Sequence, residues 1–344
     1  MRNPAHPILA AVLAACATGG TSATRPATPE QYSTRVLTLP GATPDGIFMD
    51  YLAFDPRTGF VWAPAGNTGA VDVVDTASGK VSQIAGFPTA EMERRGRKRT
   101  VGPSSATIGD GVVYVGNRGD STVCSFDART LAKGACGHLE SMPDGIAYVA
   151  ATSEVWVTTP RDQSIRILDG KSLATKAKLT YEGEPEGFAV DAKRGRFYTN
   201  LEDKDRTLAI DLKSHAILAT WMPNCGEDGP HGLALDEEAG YLFVACSTHA
   251  EVVNAGGDGA ILSQIETGDG VDNLDYSPKW HELYVGAARA AKLTIARVEA
   301  GGKLALVIQV PTKEGARNGV VTSDGDVYLA ASAASELVVA ARTR

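Results

Sequence analysis

The chain has 344 residues, with 33 Lys+Arg against 41 Asp+Glu and a formal net charge of −8. Its 43% hydrophobic and 22% charged residues are typical of a folded globular protein and exclude bulk disorder. The acidic balance argues against nucleic-acid binding, because no excess of cations is available to displace counterions from phosphates. No apolar run beyond the N-terminus reaches the roughly 18 residues that a membrane-spanning helix needs.

The N-terminus predicts export. Arg2 precedes an apolar run from Ile8 to Ala15, and the run stops at Cys16. This is too short for a transmembrane helix and has the layout of a secretory signal peptide. The ending Leu13-Ala14-Ala15-Cys16 resembles a bacterial lipobox, in which the cysteine becomes the lipidated first residue of the mature chain. We therefore expect residues 1–15 to be a lipoprotein signal peptide and Cys16 to be the lipidation site; the alternative is a plain signal peptide cleaved near an alanine.

Residues 16–31 are small, polar and proline-containing, which is typical of a flexible tether. The folded domain then covers residues 32–344. By resemblance to lipoprotein sorting rules, Ala17 rather than Asp after the lipidated cysteine favours the outer membrane of a Gram-negative host. The sequence thus predicts an exported cell-envelope lipoprotein on the periplasmic side of the outer membrane.

From about residue 45 one pattern recurs every 40 to 46 residues or so, which is in the range of propellers and solenoids. The clearest copy runs from Gly229 to Ile265 and reads as four short strands, a to d, with turn residues between them. Alternating hydrophobicity and Gly, Asp and Ser turns indicate an all-β fold. Strand a recurs at Tyr51–Asp55, Ile146–Val149, Phe188–Asp191, Leu233–Asp236, Leu274–Ser277 and Val320–Ser323, with a weaker copy at Ala106–Ile108.

Counting strand a gives seven copies, and the last copy lacks its strand d. The segment Thr34–Leu39 reads as a strand with no partner of its own. Pairing it with the last copy would close the ring and remove two exposed sheet edges. The sequence therefore predicts a seven-bladed β-propeller of four-stranded blades, with the last blade closed by the N-terminal strand. The alternative is six blades, if Ala106–Ile108 is only a loop.

The repeats resemble those of YVTN/YncE-like bacterial propellers over nearly the whole mature chain. Several strand starts are also similar to those of the gluconolactonase/paraoxonase superfamily, namely Pro143-Asp144-Gly145, Glu186-Gly187, Val271-Asp272-Asn273 and Asn318-Gly319. In that superfamily such strand-start residues bind a metal ion, so the resemblance implies Asp144, Glu186, Asp272, Asn273 and Asn318 as ligands. That superfamily is six-bladed, however, and its order of ligands around the ring is not matched here.

In a propeller, strand a is innermost, and the residue just before it points into the central channel at the end that we call the top face. Converging carboxylates repel one another unless they are protonated, hydrated or neutralised by a cation. Oxygen ligands with one nitrogen suit Ca²⁺, with Zn²⁺ or Mn²⁺ as alternatives. The sequence therefore predicts a divalent cation near this ring; the alternative is a polar channel filled with water. The ring positions are Asp50, Ser104, Asp144, Glu186, His231, Asp272 and Asn318, with Asn273 directly behind.

Four cysteines follow Cys16. Cys124 lies in a strand c and Cys136 in the strand d after it, whereas Cys225 enters a blade and Cys246 ends strand b of that blade. An even number in an exported protein suggests two disulfides, Cys124–Cys136 and Cys225–Cys246. The alternative for the second pair is a soft-metal site with His231 and His249.

The longest link between repeats holds five cations within residues 94–99. On a top-face loop they could attract an anionic ligand, anionic lipid or an acidic partner; the alternative is a solvated, mobile loop.

Two classes of function remain open. The first is a propeller, expected to be monomeric, that binds a small molecule, a peptide or an envelope protein at its top face and contacts the membrane only through its lipid. The second is a metal-dependent lactonase or esterase, in which His231 or Asp272 activates water. A lyase similar to virginiamycin B lyase is a third possibility, because Pro230-His231-Gly232 faintly resembles its repeats.

Replacing the predicted lipidation site tests export. Cys16→Ser removes the only sulfur that the lipobox-like motif offers for lipid attachment, so the protein should move from the membrane to the soluble envelope fraction. The measurement is fractionation with detection of a metabolically incorporated fatty acid. A variant that stays membrane-bound with unchanged mobility would contradict the lipid anchor.

Overall fold

Seven four-stranded antiparallel sheets and one two-stranded hairpin make up the described part of the chain. This computed structural model describes Met1, residues 32–94 and residues 96–343. The predicted tether, Cys16, most of the predicted signal peptide and Arg95 of the basic segment lie outside the described residues. Within them, no helix is long and apolar enough to cross a membrane.

The N-terminal strand β1 covers Tyr32–Thr38. Blade 1 follows with β2 to β5 at Ala53–Asp55, Phe60–Ala65, Ala70–Asp75 and Val81–Ala85. The hairpin β6–β7 comes next, at Ala90–Arg94 and Arg97–Val101. Blade 2 contains β8 to β11 at Pro103–Gly109, Val112–Asn117, Thr122–Asp127 and Lys133–His138. Blade 3 contains β12 to β15 at Ile146–Val149, Glu154–Thr159, Ser164–Asp169 and Thr175–Thr180.

The remaining blades repeat the same order. Blade 4 contains β16 to β19 at Pro185–Asp191, Arg196–Leu201, Arg206–Asp211 and Ile217–Trp221. Blade 5 contains β20 to β23 at Pro230–Asp236, Tyr241–Cys246, His249–Asn254 and Ile261–Glu266. Blade 6 contains β24 to β27 at Val271–Ser277, Glu282–Ala287, Lys292–Val298 and Leu304–Pro311. Blade 7 contributes β28 to β30 at Ala316–Val321, Val327–Ala331 and Glu336–Arg342.

The N-terminal strand completes blade 7, as predicted. The strand order in this sheet is β1-β30-β29-β28, and β1 pairs with β30 from Tyr32 opposite Arg342 to Thr38 opposite Glu336. The first strands of neighbouring blades contact one another around the ring, including β2 against β28. The prediction of a seven-bladed propeller closed by its N-terminal strand is therefore confirmed.

Blade 2 settles the choice between six and seven blades. Its inner strand β8 extends well beyond the weak copy at Ala106–Ile108 and pairs with β9. In blade 1 the inner strand is shorter than predicted, because β2 begins only at Ala53. Tyr51 instead forms a parallel bridge with Ser105 of the next blade, and its N–H donates to the carbonyl of Ser104 at 3.1 Å. The predicted strand Tyr51–Asp55 is thus divided between two blades.

Apolar side chains fill the spaces between adjacent blades. Trp156 of blade 3 is fully buried and stacks on Phe197 of blade 4, with ring centroids 4.7 Å apart. Where the chain closes, Leu39 packs with Val61 of blade 1 and Tyr328 of blade 7 in one cluster. Side chains of a strand alternate between the two faces of its sheet. Each blade therefore contributes one face to the apolar cluster with the preceding blade and the other face to the cluster with the following blade. The core is therefore a ring of interfaces that depends on every blade being complete.

Aspartates at the ends of third strands fix the outer turns. In blade 4, Asp211 accepts hydrogen bonds from the N–H groups of Lys213 and Ser214 at 3.0 and 2.7 Å. These bonds to the charged form lower the pKa of the Asp211 carboxyl. The equivalent aspartates, which make the same type of turn, are Asp75, Asp127 and Asp169.

Both expected cysteine pairs are disulfide-bonded in the structure. Cys124 and Cys136 lie directly opposite each other on β10 and β11. The bond between Cys225 and Cys246 ties the segment that enters blade 5 to the end of β21. Neither Sγ of the second pair is then available as a thiolate, so the alternative of a soft-metal site at these residues is not supported.

The burial of the closing segment leads to a stability prediction. Leu39 is 2% exposed in the cluster that joins blades 7 and 1, whereas Val36 of β1 is 53% exposed. Leu39→Ala should lower the free energy of unfolding by about 2–5 kcal/mol, because it leaves a cavity in that cluster. Val36→Ala should change it by less than about 0.5 kcal/mol. The measurement is urea unfolding of both variants; equal effects would show that the closing segment does not pack as described.

Candidate functional site

A cavity of about 310 Å³ opens at the top face, where the innermost strands begin. Four of the predicted ring residues line it: Asp50, Asp144, Glu186 and Asp272. They converge because each occupies the same place at the start of an inner strand. The shared position in each repeat therefore brings four carboxyl groups to one cavity, as the sequence predicts.

A second set of residues reaches the same cavity from a different repeat position. Arg118, Pro160 and Glu202 are each the first residue after the second strand of a blade, in blades 2, 3 and 4, and all three line the cavity. In blade 5 this position is Ser247. Two sets of side chains thus lie at the top face. One set comes from the residues at the start of the first strand of each blade, and the other from the residues that follow the second strand.

Arg118 neutralises two of the ring carboxylates. One guanidinium nitrogen lies 2.9 Å from Oδ2 of Asp50 and also bonds to Oδ1 of Asp144. The side chains of Arg118 and Asp144 are only 17% and 8% exposed, so this pair is largely shielded from water. Burial raises the pKa of Asp50, and the charge of Arg118 opposes that rise. The protein therefore supplies its own cation at this side of the ring.

Arg317 and Asn318 balance the opposite side. The guanidinium of Arg317 lies 3.3 Å from Oδ2 of Asp272. The side-chain amide of Asn318 donates to Asp50 at 3.1 Å and to Asp272 at 2.8 Å, so it bridges two carboxylates that would otherwise repel each other. Asn318 is 2% exposed and has a φ of 50°, a conformation that asparagine adopts more readily than most residues.

Glu186 and Glu202 form a carboxyl pair. Burial is the largest cause that raises the pKa of Glu186 well above its usual value, and its hydrogen bond to Glu202 and the charges of Glu202 and Asp272 raise it further. The protonated form of Glu186 is therefore favoured relative to a carboxyl group in water. Gly229 lies directly against the backbone of Glu202: it has a φ of 70°, and a Cβ there would overlap the carbonyl oxygen of Glu202.

His231 points sideways between two blades. Its Nδ1 lies 3.1 Å from Oε1 of Glu202, and its Nε2 lies 3.2 Å from Oγ of Ser247. Burial favours the neutral ring, but contact with Glu202 and the charges of Asp272 and Asp228 outweigh it, so the pKa of His231 is raised. His231 therefore has the predicted strand position and contacts Glu202 of the cavity lining, but its own side chain is not among those that line the cavity.

Two other predicted residues also lie elsewhere. Ser104 borders a small pocket that adjoins the top cavity and shares Asp50, Arg99 and Arg118 with it, and the Oγ of Ser104 is buried without a hydrogen-bond partner. Asn273 borders a second cavity of about 310 Å³ deeper in the channel, and its Oδ1 accepts the N–H of Leu274 at 2.9 Å. Most residues that line that deeper cavity are apolar, and Tyr51 and Phe188 meet in it with ring centroids 5.6 Å apart.

The donor set at the ring does not fit a divalent cation well. Among the described residues, the group of three or more His, Cys, Asp or Glu ligand atoms that lie within 4.8 Å of one another is Cys246, His249 and Glu251, and Cys246 is disulfide-bonded. Asp50, Asp144 and Asp272 each contact a guanidinium. The divalent cation stays a prediction, and Arg118 and Arg317 supply positive charge at the carboxylates from which it was inferred.

The basic segment belongs to a β-hairpin rather than to a loop. In β6–β7, Met92 pairs with Arg99, and both line the top cavity. The Arg99 guanidinium lies over the ring of Phe48, 4.7 Å from its centroid. This hairpin adds one cation, Arg99, and one apolar side chain, Met92, to the rim of the cavity.

Comparison with solved structures supports the fold. A chain of the mitotic checkpoint complex has a TM-score of 0.72 and 18% identity, with 98% of this chain and 99% of that chain covered. A streptogramin B lyase has a TM-score of 0.69 and 11% identity over 91% and 98% of the two chains. Virginiamycin B lyase from Staphylococcus aureus has a TM-score of 0.67 and 12% identity over 90% and 99%. No protein-family model and no curated protein matches the sequence. At these identities the likeness shows a shared propeller fold.

The shielded position of Arg118 gives a pH-dependent prediction. Arg118→Ala leaves the carboxylates of Asp50 and Asp144 without their cation and should cost about 1–3 kcal/mol of unfolding free energy at pH 8. The charge of Arg118 then no longer opposes the effect of burial on the pKa of Asp50, so that pKa rises further. The variant therefore loses stability as pH increases through that pKa, and the cost should be smaller at pH 5 than at pH 8. Urea unfolding at both pH values measures this.

Arg289→Ala is the matched control, because Arg289 also pairs with an aspartate, Asp269, but at 65% and 51% side-chain exposure. Because water screens this exposed pair, its loss should leave the free energy of unfolding nearly unchanged at either pH. Equal costs for the two arginines would show that Arg118 does not neutralise a buried site.

Proposed function

We propose that this chain is an exported, lipid-anchored propeller that binds a small molecule or a peptide segment in the top cavity. The observation that carries the proposal is the convergence of two sets of side chains, from inner-strand starts and from the following loops, on one cavity of about 310 Å³. That volume is at the lower end of the range of small-molecule sites. The proposed location in the cell envelope rests on the sequence expectations of an export signal and of lipidation at Cys16.

The charges of the cavity suggest the chemistry of the ligand. Its lining carries cationic and anionic groups together: Arg99, Arg118, Arg161 and Arg317 with Asp50, Asp144, Glu184, Glu186, Glu202 and Asp272. A ligand with an ammonium group and a carboxylate can exchange with such internal ion pairs without leaving a buried charge unpaired. Phe48, Met92 and Met142 add apolar contact area on the same lining. We therefore propose a zwitterionic ligand with apolar groups, such as a short peptide.

Arg317 is the best-placed anchor for a ligand carboxylate. Its side chain is 46% exposed, in contrast to 17% for Arg118. Its contact with Asp272, at 3.3 Å, is also longer than the 2.9 Å contact between Arg118 and Asp50. An arriving carboxylate could therefore take one face of this guanidinium while Asp272 keeps its amide contact with Asn318. The freed side of Asp272 would be available to a ligand ammonium group.

A peptide panel tests the proposal. Tripeptides of alanine, leucine and phenylalanine with free termini are compared by calorimetry with the same peptides acetylated and amidated. Free-terminus peptides should bind and raise the melting temperature, and Arg317→Ala should weaken binding at least about tenfold, since a charge-assisted contact is lost. Arg289→Ala is the control and should bind normally. Absence of binding by every free-terminus peptide, or binding that is unaffected by Arg317→Ala, would contradict this ligand class.

A further inference from the structure

A hydroxyl, an imidazole and a carboxylate lie in line beside the top cavity. Nε2 of His231 is 3.2 Å from Oγ of Ser247, and Nδ1 of the same ring is 3.1 Å from Oε1 of Glu202. This is the order of a nucleophile, its base and the acid that orients the base. The Nδ1 contact is close in distance but not aligned as a hydrogen bond, and such contacts often tighten only when a substrate binds.

We propose that Ser247, His231 and Glu202 form a serine-nucleophile site that hydrolyses carboxylic esters, lactones included. The three residues come from separate segments of two blades, so that only the folded ring brings them together. Ser247 is partly exposed, whereas the His231 side chain is 12% exposed. The nucleophile is therefore open to a substrate while its base is enclosed.

Each member of the set is held in place by its own contacts. The carbonyl of His231 accepts the side-chain amide of Asn200 at 2.5 Å. The carbonyl of Ser247 accepts the N–H groups of Gly270 and Val271 at 3.0 and 3.1 Å, and the preceding residue, Cys246, is bonded to Cys225. Glu202 donates its N–H to the carbonyl of Glu184 at 3.1 Å. This support from both neighbouring blades is what a preorganised site requires.

A neighbouring set provides an internal comparison. Thr248, His249 and Glu251 also place a hydroxyl and a carboxylate on an imidazole, at 3.4 and 3.2 Å. Here, however, the three residues are adjacent on one strand end, the hydroxyl faces Nδ1 and the acid faces Nε2. Their proximity follows from sequence neighbourhood alone, and we assign them no chemistry.

The proposed reaction balances without a cofactor. Ser247 Oγ attacks the ester carbonyl carbon as His231 Nε2 takes its proton; the carbon–oxygen bond to the alcohol breaks, and the alcohol leaves with that proton. Water then attacks the acyl-serine, His231 takes a proton from the water, and the carboxylic acid departs as the proton returns to Ser247. In a lactone the alcohol and the acid are two ends of one product. Glu202 acts as a positioning residue that orients the ring of His231.

The first test is labelling of the wild-type protein with a biotinylated fluorophosphonate, followed by mass mapping. We expect the label on Ser247, with labelling abolished by heat denaturation, by Ser247→Ala and by His231→Gln. Thr248→Ala is the matched control and should label at the wild-type rate. Labelling that is absent, or that falls on other hydroxyls at the rate of the denatured protein, would overturn the proposal without reference to any variant's stability.

The second test is hydrolysis of 4-nitrophenyl butyrate by the same proteins. Ser247→Ala should reduce kcat/KM about 100-fold or more. Glu202→Gln should lower kcat with little change in KM. Glu202→Asp keeps the carboxylate and should have a kcat between those of Glu202→Gln and the wild type, a recovery that a purely structural role of Glu202 would not produce. Undiminished hydrolysis by a folded Ser247→Ala protein would overturn the assignment. Because Ser247 is not part of the cavity lining, failure here leaves peptide binding in the cavity standing, and the reverse also holds.

Discussion

The pairing of β1 with β30 is the interaction on which the rest of the structure depends. Without it, blade 7 would have three strands, and β30 would be exposed at the outer rim of the ring. With it, all seven blades have four strands, and the innermost strands of neighbouring blades contact one another around the ring. The top cavity exists because that geometry repeats.

A repeated geometry brings a repeated electrostatic problem. Acidic side chains at the same offset in several blades must meet, and their mutual repulsion has to be relieved locally. Arg118 relieves it from a loop, Arg317 relieves it from the residue next to the ring position of blade 7, and Asn318 bridges Asp50 and Asp272 as a neutral donor. The result is a cavity in which charges of both signs are already partly paired, so that selectivity depends on which pairs a ligand can replace.

The fold was predictable from the sequence because blade number and closure depend on turn spacing and on one unpaired strand. The convergence of the carboxyl groups was predictable because each precedes the first strand of its repeat. The directions of individual side chains were not, since His231 turns toward Glu202 and Ser247, and Ser104 lies in a strand that bridges to Tyr51 of the previous blade. Aligning the first residue after each second strand would have found Arg118, Glu202 and Ser247 together. Arg317 has no such signal, because only the structure shows it against Asp272.

The direction of β1 also determines how the domain would be presented to its surroundings. Inner strands run away from the cavity, so β30 ends at the opposite face, and Tyr32 lies there beside Arg342. The polypeptide therefore enters the ring from the side remote from the cavity. If the chain is tethered through Cys16, the tether joins the domain at this lower face, opposite the mouth of the cavity. The attachment to the membrane would then leave the mouth of the cavity open to the aqueous compartment.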